Sequence, residues 1–199
     1  MRVWTVQPLA VWERLMEVGT LRVDIACYPY DGYVPWQYPW MACRLQERAP
    51  DYRGGLPWWA YCERPDLRWV RHYRPAGQPQ VRIELDVNGV LVFPSWAWDI
   101  VYCGNFLSFT QREQETWSAA MRRAVPDEDL WPLPEPWRAE LEASWLRLFD
   151  PQLPSHGWTD IPGKADSSSR ANEAVFETLR LQDVRRVTHF VGTSRWPHG

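Results

Sequence analysis

Between residues 80 and 94 the chain leaves little choice of backbone conformation. Val81, Ile83, Leu85 and Val87 alternate with Arg82, Glu84 and Asp86, and a period of two puts the apolar side chains together on one side of an extended strand. Asn88-Gly89 follows, the dipeptide that most readily supplies the positive φ angles of a type I′ turn, and Val90–Phe93 then offers a second extended run. The pattern predicts a β-hairpin. A strand apolar on one side only must be covered on that side, so a sheet packed against helices is expected around it.

Other segments supply those elements. Residues 2–7 read as a strand. After Pro8, which a helix tolerates in its first turn, Leu9, Trp12, Leu15 and Met16 recur at helical spacing until Gly19. A short strand is expected at 21–24, a helix near 40–48 ending before Pro50, and an aromatic strand over 56–62 introduced by Gly54-Gly55. Ser95 is expected to cap a helix through about residue 105, and Thr110 with Glu113 forms a capping box for another over 111–123. Trp137, Leu141, Trp145 and Leu148 share a helical face after Pro136. Strands near 174–181 and 187–192 close the pattern, and His189 in the last of them reads as a core histidine. Residues 151–171, rich in Pro, Gly, Ser and Asp without periodicity, read as one long loop.

The expected class is therefore α+β: a single domain over 1–199, with a mixed or mainly antiparallel sheet of roughly five to seven strands packed with about four helices. With 15 Trp and 18 Pro, large rings must fill much of the core and proline-fixed loops must connect it. The net charge of −3 excludes a global basic field of the kind that binds DNA without specificity. Cys27, Cys43, Cys62 and Cys103 form no CxxC pair and have no histidine at zinc spacing, so no metal site is signalled, and they read as buried thiols. No secretory pattern opens the chain and no apolar run approaches the roughly 20 residues of a membrane helix, so a cytoplasmic protein without a membrane segment is expected.

A set of short segments in fixed order carries a resemblance. Trp4-Thr5-Val6-Gln7, the run Pro57-Trp58-Trp59-Ala60-Tyr61, Arg64-Pro65-Asp66-Leu67-Arg68, Ser95 with Trp96-Ala97-Trp98, Ser144-Trp145 with Leu148-Phe149-Asp150, and Ala174-Val175-Phe176 through Phe190 together resemble a bacterial family catalogued as domain of unknown function 3841. A more distant likeness is to ADP-ribosyltransferase folds. It implies an NAD cofactor, with Glu173 holding the nicotinamide ribose, Tyr61 stacking on the nicotinamide, and Thr5 or Gln7 gripping the far ribose. That arrangement requires the opening strand and the late glutamate strand to lie side by side.

A second reading comes from the residues alone. Arg64, Arg68, Arg71 and Arg74 are interspersed with Trp69, His72 and Tyr73, and only Asp66 opposes them. Guanidinium groups grip phosphate and aromatic faces stack on bases, so the segment suits a nucleotide or single-stranded nucleic acid. Arg68 and Arg71 are its central candidates. Enzyme and non-catalytic binding module stand as alternatives, and no GxSxG elbow, Walker loop or paired-histidine motif adds a third.

Overall fold

The computed structural model describes residues 1–23, 35–49, 52–70 apart from the side chain of Trp69, 75–126, 133–154, 157–160 and 172–193. Strand β1 (Arg2–Pro8) runs directly into α1 (Leu9–Val18), which Gly19 closes at φ 72° by donating its N–H to the Leu15 carbonyl. Then follow β2 (Thr20–Arg22), α2 (Gln37–Arg48), β3 (Trp58–Tyr61), the single turn α3 (Leu67–Val70), β4 (Pro79–Asp86) and β5 (Leu91–Pro94). Helices α4 (Ser95–Tyr102), α5 (Gln111–Ala124) and α6 (Trp137–Trp145) come next, before β6 (Asn172–Phe176), β7 (Thr178–Arg180) and β8 (Val184–Val191). The fold is α+β, as the sequence pattern predicts.

By internal packing the chain forms two compact units, residues 1–92 with 173–199 and residues 93–172. The first is built on a six-stranded sheet in the order β5-β6-β3-β1-β4-β8, with β2 and β7 pairing separately. Antiparallel ladders join β1 to β3 and β4, β3 to β6, and β4 to β8. One hydrophobic cluster lies on one side of the sheet, where Val3, Ala60, Val81, Ile83, Leu85, Ala174 and Phe176 meet Leu15 of α1, and Val6 and Val175 are buried on the other side. Truncating Ile83, which is fully buried, to alanine would cost about 2–5 kcal/mol.

The strands at 81–87 and 90–93 exist, but they do not form the expected hairpin. β4 is held on one side by β1 through seven registered pairs, from Arg2↔Asp86 to Pro8↔Gln80, and on the other by β8. Val87 extends the first ladder, accepting from the Met1 ammonium at 2.6 Å and donating its N–H to the Met1 carbonyl at 2.9 Å. With both edges of β4 occupied, β5 goes to the far edge beside β6. Local turn chemistry at Asn88-Gly89 is thus overridden by long-range pairing.

Three smaller expectations change too. Ser95 is the first residue of α4 rather than its cap; Pro94 holds the cap position and no side chain caps the helix. His189 is exposed because β8 is an edge strand. Cys43 and Cys103 are exposed rather than buried, while half-buried Cys62 packs against the core; Cys27 lies outside the described residues.

In the second unit Trp145 is fully buried and its indole N–H donates to the Asn105 carbonyl at 2.8 Å. The Thr110 hydroxyl accepts the Glu113 N–H at 3.1 Å and starts α5 as the capping pattern predicts. The Glu113 carboxylate turns to the Phe109 N–H at 3.3 Å instead of the cap residue itself. Among the described residues no helix is long and apolar enough to cross a membrane.

Candidate anion-binding site

In an antiparallel ladder, residues directly opposite one another project to the same side. Tyr61 is opposite both Trp4 and Glu173, Trp4 is opposite Glu84, and Glu84 is opposite Arg186. Glu173, Tyr61, Trp4, Glu84 and Arg186 therefore form one row across five strands, on the face turned away from the Ile83 core. Arg82 and its partner Thr188 stand in the next row of this face.

That geometry divides the residues singled out in the sequence. Tyr61 and Glu173 come together as registered partners. Thr5 and Gln7 are opposite Ile83 and Val81, so they belong to the other, core face. The fully buried Thr5 hydroxyl donates to the Trp59 carbonyl at 2.8 Å and accepts from Gln7 Nε2 at 2.7 Å. This closed chain ties β1 to β3. The opening and glutamate strands are not side by side either: β3 lies between β1 and β6. A cleft combining Thr5 or Gln7 with Glu173 is excluded by the pleat. Beside Glu173, the Cys62 thiol is pushed up to about 11 by burial and then by the carboxylates of Glu173 and Glu63. At neutral pH it is a protonated, weak nucleophile.

Concavity occurs elsewhere on the same face. After β3 the segment Arg64-Pro65-Asp66-Leu67 joins Arg82 and Thr188 in lining a pocket of about 410 Å³. Arg82 is only 6% exposed and donates through Nη1 to the Pro65 carbonyl at 2.7 Å, which pins the segment over the sheet. Burial, and then the guanidinium groups of Arg64 and Arg186, hold the Arg82 pKa below its usual value. Asp66 and Glu84 oppose that repulsion, but both are engaged. Asp66 Oδ2 accepts from Arg68 Nε at 2.8 Å and Nη2 at 2.6 Å, while Oδ1 accepts the Arg68 N–H at 2.9 Å. These bonds hold the Asp66 carboxyl below the usual carboxylate range. Glu84 lies 3.4 Å from Arg2 Nε.

Among the described residues, neither Arg64 nor Arg186 has a carboxylate within ion-pairing distance, and the Thr188 hydroxyl makes no hydrogen bond. Arg68 is already neutralised by Asp66. Arg71 and Arg74, with His72 and Tyr73, lie outside the described residues, as does the side chain of Trp69. Arg82 and Thr188 were missed in the sequence because each sits at a polar position of an alternating strand, where exposure is the ordinary expectation. No group of three or more His, Cys, Asp or Glu able to hold a metal occurs among the described residues.

A family model matches residues 2–170, more than four-fifths of the chain. The chain belongs to the family described as Domain of unknown function (DUF3841). No curated protein and no solved structure matches it. The DUF3841 match contains Arg64, Asp66, Arg68 and Arg82, whereas Glu173 and Thr188 lie beyond its end.

The second unit has a concavity of its own, about 510 Å³, lined by Phe106 and by Thr110, Arg112, Glu113, Thr116, Trp117 and Ala120. Phe106 and Trp117 stack at 4.7 Å with planes 15° apart. Arg147 lies 5.4 Å from the Phe106 centroid and 5.3 Å from that of Phe109, and its Nη1 reaches Glu113 Oε1 at 2.7 Å.

Proposed function

We propose that this DUF3841 member is a non-catalytic binding module that takes the phosphate of a nucleotide, or of single-stranded nucleic acid, in the pocket beneath Arg64-Pro65-Asp66-Leu67. The observation that carries the reading is Arg82: a guanidinium only 6% exposed, with one protein acceptor among the described residues and two further cations beside it. Such crowding is unfavourable in the empty protein and is relieved by a bound anion. A phosphate supplies several acceptor oxygens and a compact negative charge, matching the donors of Arg82, Arg64 and the Thr188 hydroxyl. The volume is within the roughly 300–1,000 Å³ of small-ligand sites.

Titration calorimetry with ATP and with a short oligothymidylate tests this. ATP binding that weakens steeply with salt, and falls at least tenfold in Arg64→Ala, is expected. Tighter binding of the oligonucleotide assigns the phosphate to nucleic acid, and salt-independent or absent binding of both refutes the proposal.

A second reading, an NAD-using ADP-ribosyltransferase-like enzyme, draws on one observation, the registered pairing of Tyr61 with Glu173 on the pocket's face of the sheet. In it Tyr61 stacks on nicotinamide and Glu173 holds the adjacent ribose, without Thr5 or Gln7. It requires nicotinamide release from NAD, abolished by Glu173→Gln; a protein that releases none is not such an enzyme.

A further inference from the structure

The two edges of the main sheet are built differently. β5 is four residues long and ends in Pro94, which has no N–H to offer a neighbour. β8, at the opposite edge, is eight residues long, contains no proline, and pairs only with β4 among the described residues. Its outward N–H and C=O groups form a ladder available to another strand, which folded proteins commonly blunt with short edges, proline or charge.

The charges on β8 have one sign. Its sequence, Val-Arg-Arg-Val-Thr-His-Phe-Val, has two arginines and no carboxylate, although the whole chain has a net charge of −3. Arg185 is engaged with Asp86 at 2.8 Å, but exposed Arg186 has no carboxylate in range among the described residues. Pairing β8 with a second copy of itself would bring four guanidinium groups into one ribbon, and like charges facing each other destabilise such pairs. An incoming strand with carboxylates at alternate positions would meet Arg186 about 5 Å away on the same face.

We propose that β8 is a docking edge for an acidic, extended polypeptide segment, which joins the sheet as a further strand and places its carboxylates against Arg186. Backbone pairing supplies the binding and the arginine sets the choice of partner. β8 also contributes Thr188 to the phosphate pocket and Arg186 beside Arg82, whereas Arg64 belongs to the pocket alone.

The probe is a capped decapeptide of alternating Glu and Val, with a Lys/Val peptide as its counterpart. Binding of the Glu/Val peptide is expected to slow amide hydrogen exchange in residues 184–191 at least tenfold. Arg186→Glu is expected to weaken the Glu/Val peptide at least tenfold and to make the Lys/Val peptide the preferred one. N-methylation of alternate peptide amides, which keeps the charges and removes the donors, should abolish binding. No protection in 184–191 at saturation, equal binding of both peptides, or undiminished binding of the methylated peptide overturns the proposal. So does a concentration-dependent dimer that protects the same amides without peptide. Arg64→Ala, expected to lose ATP, should keep the peptide, so that either proposal can fail alone.

Discussion

The sheet-face pocket and the α5 groove are of similar size, about 410 and 510 Å³, yet only the pocket has a buried cation with donors to spare. In the groove every polar side chain but that of exposed Arg112 is in use locally. Glu113 binds Arg147 through one oxygen and the Phe109 N–H through the other, Thr110 caps α5, the Thr116 hydroxyl donates to the Arg112 carbonyl, and the Trp117 indole donates to Glu140. What remains is ring surface and the solvent-exposed Arg112 guanidinium. In the pocket the balance is reversed: among the described residues Arg82 has one carbonyl acceptor, Thr188 makes no hydrogen bond, and neither Arg64 nor the neighbouring Arg186 has a carboxylate within ion-pairing distance. The lesson is that a cavity becomes a candidate site through buried donors left without acceptors, and not through its volume.

The contrast breaks most visibly at Arg82. In the double variant Arg64→Ala/Arg82→Gln two charge-assisted contacts to a phosphate are lost. At about 1.5–3 kcal/mol each, ATP affinity measured by calorimetry should fall roughly a hundredfold or more. An affinity within threefold of the parent would show that the unspent donors are not the ligand's partners.

The matching change in the groove should read out as stability instead. Arg147→Met removes the pair to Glu113, the bond to the Leu107 carbonyl at 3.2 Å and both ring contacts. Because the Glu113 side chain is 38% exposed, solvent screens the ion pair, and the expected loss is about 1–2 kcal/mol by urea denaturation. ATP affinity should not move. Thr110→Ala, which removes one cap, should cost about 1 kcal/mol. If either variant weakened ATP binding instead, residues outside the pocket would be setting its affinity.

Much of this architecture could be read along the chain, and what could not has a common cause. β1 into α1, the Thr110 cap of α5 and the strand at 81–87 are local patterns decided by period, cap chemistry and Gly19, and they appear as expected. The hairpin failed because β4 found better partners at Arg2–Pro8 and Val184–Val191, far away along the chain. The site was half legible for the same reason. Arg64, Asp66 and Arg68 announce themselves as a charged cluster, but Arg82 acquires its meaning only when Pro65 is laid over it and Thr188 arrives from β8. No spacing rule links positions 65, 82 and 188. Thr5, Gln7 and Glu173 show the converse, since the pleat separates residues that a motif comparison joins.

The smallest effect tests the physical premise most directly. Arg64 is exposed, has no carboxylate within ion-pairing distance among the described residues, and repels Arg82. Removing it should therefore stabilise the ligand-free protein slightly, where an ordinary surface arginine would be neutral or mildly stabilising. The expected gain for Arg64→Ala is a few tenths of a kcal/mol, no more than about 0.5. Its signature is salt dependence: charge repulsion is screened where apolar packing is not. The gain should be present in dilute buffer and vanish near 1 M salt, where the Debye length falls to about 3 Å. A saturating concentration of ATP should reverse its sign, because the anion that relieves the crowding then stabilises the parent more than the variant. If Arg64→Ala destabilises the ligand-free protein at low salt, the guanidinium cluster is satisfied as it stands, and the pocket resembles the α5 groove after all.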